Sequence, residues 1–354
     1  MITFRGETDV DKGFRAYLAE AGLQVRYTVR DVQQDVGRIP AILQEARALA
    51  PNLIYVWGTP ITLSVVGAYD DPDRQHFIHD IPVVFALVAA PVRSRIVERL
   101  EAPGRNVTGA VHVVPFDVQL RVMQRYRPLQ KLGVLYTGSE PNSRAIVEGA
   151  RATCQDSGVA LLERTFRTNA QGQPTADGVE ELVAQLQAEG AQWLYLLPDT
   201  FLGSVYARVT PAALQAKLPC FGAAELAVRS GAALTGLVSR YYSVGQLAGA
   251  KAVEILVGGK SPAAIPVERL KRFSLLVNMR VAHSLRLYPP IDMLNYAEVI
   301  AVGDAPLSRH EPQPLAFCFT DPGGAGLASA AARRPAGHAR AAPVQHRGHG
   351  GADR

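Results

Sequence analysis

The chain has 354 residues and a mass of 38.1 kDa, which predicts two or three domains because a domain usually holds roughly 100–200 residues. Hydrophobic residues make up 48% and charged residues 19% of the sequence, a globular balance that excludes a mostly disordered chain. The formal net charge is +5, but Lys and Arg are scattered without a basic stripe and no apolar run is long enough to span a bilayer, so neither a nucleic-acid partner nor a transmembrane helix is expected.

The first segments alternate between strand and helix patterns. Met1–Phe4 reads as a short strand, and the helix after it carries Phe14 and Leu18 on one face. Leu23–Val29 alternates apolar and polar residues as a strand does. Apolar residues then recur at helical spacing over Ile39–Leu49, which predicts an amphipathic helix.

The same alternation continues to about residue 257. Further strands are predicted at Leu53–Trp57, Pro82–Val88, Leu132–Tyr136, Val159–Phe166, Trp193–Leu197, Pro219–Phe221 and Ala233–Val238. Further helices are predicted at Phe116–Tyr126, Asn142–Gln155, Asp177–Glu189 and Val244–Val257. Strands that are apolar on both faces and alternate with helices indicate parallel sheets covered on both sides. We therefore expect an α/β protein with two doubly wound sheets side by side; a closed eight-fold barrel is the alternative.

The two ends of the sequence carry separate expectations. No export signal precedes the short first strand, and we expect Met1 to be an internal methionine of a longer natural protein. Residues 303–354 contain no Lys, Ile, Tyr or Trp and are rich in Ala, Gly, Pro and Arg. Such a segment buries too little apolar surface to offset its ordering entropy, so we expect a disordered and dispensable tail. A frameshift product and a genuine linker are the two explanations for it.

Small and polar residues follow the predicted strands. In an open parallel sheet, ligands bind beyond the carboxyl ends of the strands. The candidate ligand-binding residues at these ends are Arg5, Glu7, Thr8, Gly58, Thr59, Thr62, Ala90, Glu140, Asn142, Ser143, Asp199, Thr200, Glu225 and Tyr241. Helix capping is the alternative interpretation for any one of the Thr, Asn, Ser and Asp residues.

The residue types predict a small ligand with an anionic end and an amine, such as an amino acid. Free N–H groups and hydroxyls at helix starts suit an anion, and four such residues are Thr59, Thr62, Asn142 and Ser143. The amine is expected at one of three carboxylates, namely Glu7, Asp199 or Glu225. On this basis Asp199→Ala and Ser143→Ala are expected to lower affinity while leaving the fold intact.

Two arginines and two aromatic residues bear on this site. Arg5 and Arg240 could each pair with an acidic side chain of the protein instead of the ligand. Tyr241 is expected to offer a stacking face, whereas Trp57 is expected to point into core packing.

Other chemistry finds little support in the sequence. The Asp- and His-rich segment 70–80 is interpreted as a solvated loop, with a metal site as the alternative. The three cysteines, Cys154, Cys220 and Cys318, lie far apart without metal or disulfide spacing. No pattern joins a nucleophile to its base, so no catalytic residue, metal or other cofactor is predicted.

Several motifs together resemble the substrate-binding proteins of ABC transporters, in the group that includes tryptophan-binding lipoproteins. The resemblance runs from about residue 2 to about residue 300. It rests on the order and spacing of segments 58–60, 82–85 with Pro91, 106–109, 132–136, 140–143, 241–246 and 265–268.

The resemblance implies a type I periplasmic binding fold, in which two Rossmann-like lobes joined by three crossovers enclose a ligand cleft. By this analogy residues 1–109 with 239–264 form the first lobe, and residues 110–238 with 265–300 form the second. It also implies a monomer without enzymatic activity that captures a small ligand by hinge closure and delivers it to a membrane permease. The location would be periplasmic, or lipid-anchored at the cell envelope, provided that a signal precedes Met1. A ligand-sensing regulatory protein is the first alternative, and a two-domain α/β enzyme is the second.

Overall fold

The computed structural model describes residues 1–300, so the prediction for residues 303–354 lies outside the described part of the chain. The strands are β1 Ile2–Thr3, β2 Arg30–Asp31, β3 Ile54–Trp57, β4 Val83–Val88, β5 Val107–Val111, β6 Lys131–Tyr136, β7 Ala160–Thr165, β8 Trp193–Leu196, β9 Cys220–Gly222, β10 Thr235–Val238, β11 Glu268–Arg269, β12 Ser274–Asn278 and β13 Ala297–Ile300. The helices are α1 Asp9–Glu20, α2 Ile39–Leu49, α3 Gly58–Val66, α4 Phe116–Tyr126, α5 Pro141–Asp156, α6 Val179–Ala188, α7 Thr200–Ser204, α8 Tyr206–Gln215, α9 Glu225–Arg229, α10 Tyr241–Leu256, α11 Met279–Leu285 and α12 Ile291–Leu294.

The strands form two open sheets. The first sheet has the order β11-β5-β4-β3-β1-β2, and the second has the order β13-β12-β10-β9-β8-β6-β7. Neighbouring strands run parallel throughout the first sheet, and in the second sheet β10 and β12 run antiparallel. Two open sheets with helices between their strands confirm the predicted pair of doubly wound α/β lobes and exclude the closed barrel.

Both sheets are built on one repeated strand order. In chain order, the first five strands of the first sheet and the five from β6 to β10 in the second are each arranged 2-1-3-4-5. The chain passes between the sheets three times, at residues 112–115, 239–240 and 270–273. These passages are the three crossovers that the resemblance implies.

Each sheet has its own apolar core, as strands without a polar face require. Every residue of β3 and β4 is buried, and these strands supply much of the first core. In the second lobe, α4 buries Leu120, Met123 and Tyr126 at helical spacing against the other core. Both cores therefore follow from the apolar runs that predicted the strands.

The prediction of a strand over Leu23–Val29 is wrong. The parallel ladder reaches as far as Met1, whose amine donates a hydrogen bond to the Thr28 carbonyl at 2.7 Å. Because β1 is two residues long, residues 24–27 have no strand beside them in the described chain. A cavity of about 650 Å³ instead separates this segment from residues 51–55. Only β2, which begins directly after the predicted segment, joins the sheet.

The segment that follows Ile265 joins a different sheet from the one that the sequence suggested. β11 pairs with β5 of the first sheet, although residues 265–300 were expected in the second lobe. The Thr108 hydroxyl donates to the Ile265 carbonyl at 2.8 Å, and the buried Lys251 ammonium pairs with Glu268. These contacts hold the chain on the first lobe until Arg269, and the third passage begins after it.

Close contact between α1 and α10 fixes the returning chain on the first lobe. A Cβ atom added at Gly245 would lie 1.9 Å from the Val10 carbonyl oxygen, and one added at Gly13 would lie 2.0 Å from the Tyr242 carbonyl oxygen. Only glycine lets two helix backbones approach this closely. The second passage therefore ends in a helix that is held against the first helix of the chain.

Two buried carboxylates hold the strand ends of the second lobe together. Asp199 accepts hydrogen bonds from the Thr137 amide at 2.7 Å, the Thr137 hydroxyl at 2.9 Å and the Leu202 amide at 2.8 Å. Glu140 accepts from the Thr200 amide at 3.0 Å and from the Thr200 and Ser143 hydroxyls. Together they tie the segment after β6 to the segment after β8 and start α7.

We expect the variant Gly245→Ala to lose about 2 kcal/mol or more of its free energy of unfolding, because its methyl group overlaps the α1 backbone. The matched control is Gly149→Ala in α5, where an added Cβ meets nothing within 4 Å. The control should gain up to about 1 kcal/mol from helix propensity. Urea unfolding of both variants measures the difference, and equal effects would contradict the close contact.

We also expect Glu140 to make stability fall as pH rises. Burial, and next the charge of Asp199, raise the pKa of Glu140 to about 7 in the folded protein, above the ordinary value of 4.5. The folded state therefore binds this proton more tightly than the unfolded state. The stabilisation is complete below pH 4.5 and is lost as pH rises through about 7.

The comparison is urea unfolding of the wild-type protein and of Glu140→Gln at pH 5 and pH 8. The wild type should lose on the order of 2–3 kcal/mol more than the variant over this range. The exposed change Glu20→Gln serves as the control and should leave the pH dependence as in the wild type. The same pH dependence in wild type and Glu140→Gln would show that Glu140 stays ionised when folded.

Candidate ligand-binding site

A cavity of about 50 Å³ lies between the two lobes. Its lining residues come from both lobes and from the first of the three passages between them. They are Arg5, Trp57, Gly58, Thr59, Leu87, Ala89, His112, Asn142, Pro198, Asp199, Thr200, Gly203, Tyr206, Ala224, Leu226 and Tyr241.

The lining is concentrated where the strand order of each sheet reverses. In the first sheet that point lies between β1 and β3, which Arg5 and Trp57–Thr59 follow. In the second sheet it lies between β6 and β8, which Asn142 and Pro198–Thr200 follow. Ligands of doubly wound proteins bind in the crevice at this switch point. Here the two switch points open onto one shared cavity.

Arg5 and two aromatic rings form the wall of the first lobe. The rings of Phe4 and Trp57 stack with their centroids 5.7 Å apart, and the Arg5 Cζ atom lies 5.2 Å from the centroid of the Trp57 ring. The Arg5 Nη1 atom donates to the Gly203 carbonyl of the second lobe at 3.4 Å, while the buried Nε has no hydrogen-bond partner. Trp57 belongs to the first core, as predicted, and also lines the cavity.

Asn142 is the polar group of the second wall that is left with free bonding capacity. It is buried at the start of α5, and its Nδ2 donates to the Pro198 carbonyl at 3.1 Å. Its Oδ1 has no partner in the described chain. This atom is a buried acceptor on a residue that lines the cavity.

The first passage contributes His112, and Tyr241 begins α10 directly after the second passage. Their rings meet edge to face with centroids 6.1 Å apart. Burial lowers the pKa of His112 to about 4, so the imidazole is neutral at neutral pH, and its Nδ1 has no hydrogen-bond partner. The cavity wall at the connections therefore carries an uncharged polar group.

Half of the predicted site residues line the cavity. These are Arg5, Gly58, Thr59, Asn142, Asp199, Thr200 and Tyr241. The other half do not, namely Glu7, Thr8, Thr62, Ala90, Glu140, Ser143 and Glu225.

The second group is occupied by contacts within the protein. The Thr8 hydroxyl donates to Asp11 at 2.8 Å, and the Thr62 hydroxyl donates to the Gly58 carbonyl at 2.6 Å. Glu225 accepts from the Tyr241 amide at 2.6 Å and pairs with two arginines, at 2.8 Å with Arg229 and at 3.4 Å with Arg240. Helix capping and ion pairing thus account for these side chains.

Asp199 lines the cavity, but most of its bonding capacity is used within the protein. Its carboxylate already accepts three hydrogen bonds, two of them from backbone amides. An alanine at this position would leave those donors unpaired in a buried region. These contacts argue against the expectation that Asp199→Ala leaves the fold intact, and we expect this variant to lose stability. The Ser143 hydroxyl likewise has a partner within the protein, because it donates to Glu140 at 3.2 Å.

Sequence reasoning missed several lining residues for identifiable reasons. Ala89, Pro198 and Ala224 directly follow strands, and His112 follows β5, so the strand-end rule could have found them. Gly203 and Tyr206 come from α7 and α8, for which the sequence offered no clear periodic pattern.

Two features are absent from residues 1–300. No group of three or more His, Cys, Asp or Glu side chains among residues 1–300 has a geometry that could hold a metal ion. No helix in the same range has the length and hydrophobicity needed to cross a membrane.

Comparison with known proteins places this geometry in context. A tyrosine-binding protein of Clostridioides difficile (strain R20291) is 28% identical over 273 residues, which cover 75% of this chain and 73% of the relative. Among solved structures, the ABC domain of a Streptococcus pneumonia protein in complex with L-Trp matches with a TM-score of 0.71 at 22% identity. That match covers 85% of this chain and 99% of the other.

A further structure supports the same fold. A conserved domain protein of Vibrio cholerae matches with a TM-score of 0.73 at 24% identity, covering 84% of this chain and 97% of the other. At this level of identity the structural matches establish the two-lobed fold.

The family is established by a sequence model. The model described as ABC transporter substrate binding protein matches residues 5–300, which include both switch points and all three passages between the lobes. This chain therefore belongs to the ABC transporter substrate binding protein family.

Proposed function

We propose that this protein is the solute-binding component of an ABC-type importer, and that it captures an aromatic amino acid between its lobes by hinge closure. In this role it acts at the cell envelope as a monomer and delivers its ligand to a membrane permease. The family match and the ligands named for the tyrosine-binding relative and the L-Trp complex support this proposal.

The observation that carries the proposal is a pair of buried, unpartnered polar atoms on opposite walls of one cavity. Arg5 Nε on the first wall is a donor on a cation, and Asn142 Oδ1 on the second wall is an acceptor. Arg5 makes no ion pair with the described residues. A carboxylate at Arg5 and an ammonium at Asn142 would satisfy both atoms, and an amino acid carries both groups.

This assignment replaces the expected amine partners. The carboxylates of Asp199 and Glu225 already accept hydrogen bonds from backbone amides, and Glu225 also pairs with Arg229. Glu7 lies near Arg15, with 3.5 Å between the charged atoms, and does not line the cavity. We therefore propose Asn142 for the amine in place of an acidic residue. The Thr59 hydroxyl lines the cavity and accepts from the Ala89 amide at 3.5 Å, and its own O–H can donate to the carboxylate end of the ligand.

Aromatic side chains favour a ring on the ligand. Trp57 and Tyr241 line the cavity from the first lobe, and Tyr206 lines it from the second. Aromatic rings pack well against one another in stacked or edge-to-face pairs. The lining also contains no Cys, Ser or Lys, so a binding role fits it better than a nucleophilic enzyme does.

The small size of the cavity supports hinge closure. A volume of about 50 Å³ is far below the roughly 300–1,000 Å³ of ordinary ligand pockets. The lobes also touch across the cleft, through Arg5 and Gly203 and through an ion pair of 2.6 Å between Arg93 and Glu148. We propose that the structure is a closed arrangement and that bending at the three passages admits the ligand.

Replacing Arg5 tests the ligand site. We expect Arg5→Gln to weaken binding of L-tryptophan or L-tyrosine about ten-fold or more, because a hydrogen bond to a charged group contributes roughly 1.5–3 kcal/mol. Isothermal titration calorimetry measures the affinity. The control is Arg95→Gln, which removes an exposed arginine of the same lobe that pairs with Asp70 outside the cavity.

Two outcomes of this calorimetry distinguish a wrong ligand class from a wrongly placed site. If the wild-type protein binds neither amino acid, the proposed ligand class is wrong. If it binds one of them and Arg5→Gln binds equally well with an unchanged melting temperature, the site has been placed on the wrong residues.

Reversing the rim ion pair tests closure. Arg93→Glu alone opposes Glu148 with a like charge and should weaken ligand binding by up to about five-fold, since exposed ion pairs contribute at most roughly 1 kcal/mol. Adding Glu148→Arg restores opposite charges and should recover most of the affinity. Calorimetry at low salt measures both variants, because salt screens exposed charges.

The same variants can be followed by small-angle X-ray scattering. Wild type with ligand should be more compact than Arg93→Glu with ligand at equal saturation. If the double variant is as weak as the single one, the ion pair does not form in the bound state.

A further inference from the structure

We propose that the Nδ1 atom of His112 accepts a hydrogen bond from the ring of the bound amino acid. The cleft would then prefer rings that carry an N–H or O–H group over a plain phenyl ring. The inference rests on the proposed function and assigns a selective contact within the same cavity.

The first support is the unmet bonding capacity of His112. Its side chain is buried, with 6% of its surface exposed, and it lines the cavity. Nδ1 has no partner in the described chain. Buried polar atoms in folded proteins are almost always hydrogen-bonded, so an unpaired one on a cavity wall calls for a ligand atom.

The second support is the protonation state of the ring. The imidazole is neutral at neutral pH, because burial lowers its pKa, and a neutral imidazole has one donor and one acceptor nitrogen. Nδ1 has no partner in the described chain, and we take the tautomer with the proton on Nε2, in which Nδ1 keeps its lone pair for a donor.

The third support is an irregularity in the backbone beside His112. The register between β4 and β5 shifts between Ala86 and Val88, and Leu87 adopts a φ of 59°. A branched residue in this region is strained, and such bulges often re-aim groups at functional sites. The bulge places Val88 opposite Val111, the residue directly before His112. The bulge thus lies directly beside His112, and Leu87 itself lines the cavity.

The surroundings of His112 suit a ring better than an ammonium group. Leu87, Leu226 and the edge of Tyr241 border the same cavity. An ammonium there would meet mainly apolar neighbours, whereas Asn142 lies against the Pro198 carbonyl, beside Asp199 in the chain, where further oxygens are close. A ring N–H or O–H needs only one acceptor, and the rest of the ring gains apolar contacts.

The test compares ligands that differ in one donor. One pair is L-tryptophan and its benzothiophene analogue, in which sulfur replaces the indole N–H. The other is L-tyrosine and L-phenylalanine. Calorimetry measures each affinity in the wild-type protein, in His112→Phe and in the control Ser239→Ala. The control removes another buried, unpartnered side-chain atom from a connection, but one that does not line the cavity.

We expect the wild type and Ser239→Ala to bind the donor-bearing member of at least one pair about ten-fold more tightly or better. In His112→Phe that preference should fall below about two-fold, through weaker binding of the donor-bearing ligand.

Three results would overturn the inference. Equal wild-type affinities within both pairs would do so without any variant. An equal loss of affinity for all four ligands in His112→Phe would indicate that His112 contacts the ammonium or carboxylate group that they share. If no aromatic amino acid binds the wild type at all, both the inference and the proposed function are wrong, whereas the first two results leave the proposed function standing.

Discussion

Three passages of one chain between two sheets constrain everything else in this protein. Because the chain crosses at residues 112–115, 239–240 and 270–273, neither sheet is made from one continuous segment. The passages leave β5, β10 and β11, and the first of them contributes His112 to the cleft. The repeated strand order then places both switch points on one cavity, so the position of the site follows from topology.

The hydrogen bonds within the protein distinguish the structural polar groups of the cleft from those that are available to a ligand. Asp199, Glu140 and Glu225 look alike in the sequence as acidic residues after strands, yet each has its oxygens occupied by amides, hydroxyls or arginines. Arg5, Asn142 and His112 each keep one buried polar atom without a partner. Whether a polar side chain is available to a ligand depends on which donors and acceptors the fold brings near it. The residue type alone does not predict this.

Much of the fold could be predicted because it depends on local patterns. The apolar runs Leu53–Trp57 and Pro82–Val88 became β3 and β4, and the period of Phe116–Tyr126 gave α4. The strand predicted over Leu23–Val29 did not form because a strand needs a neighbour, and the neighbour here is two residues long.

The strand-end rule located Thr59 and Asn142 at the cavity. It could not tell that Thr62 bonds its own helix, nor find Tyr206 on α8, since both depend on tertiary placement.

The glycine contact between α1 and α10 has a consequence for biogenesis. Val244, Ala248 and Ala252 of α10 belong to the core that contains strands β1 to β5, although more than 120 residues of the second lobe separate them from β5 in the chain. A chain emerging from the ribosome therefore makes the first five strands long before the helix that covers them. Their apolar surface stays open to chaperones or to misassembly until α10 has been translated, because distant contacts form late and slowly. The second lobe, whose strands β6 to β10 are continuous, can begin to condense earlier, so the order of folding reverses the order of the lobes.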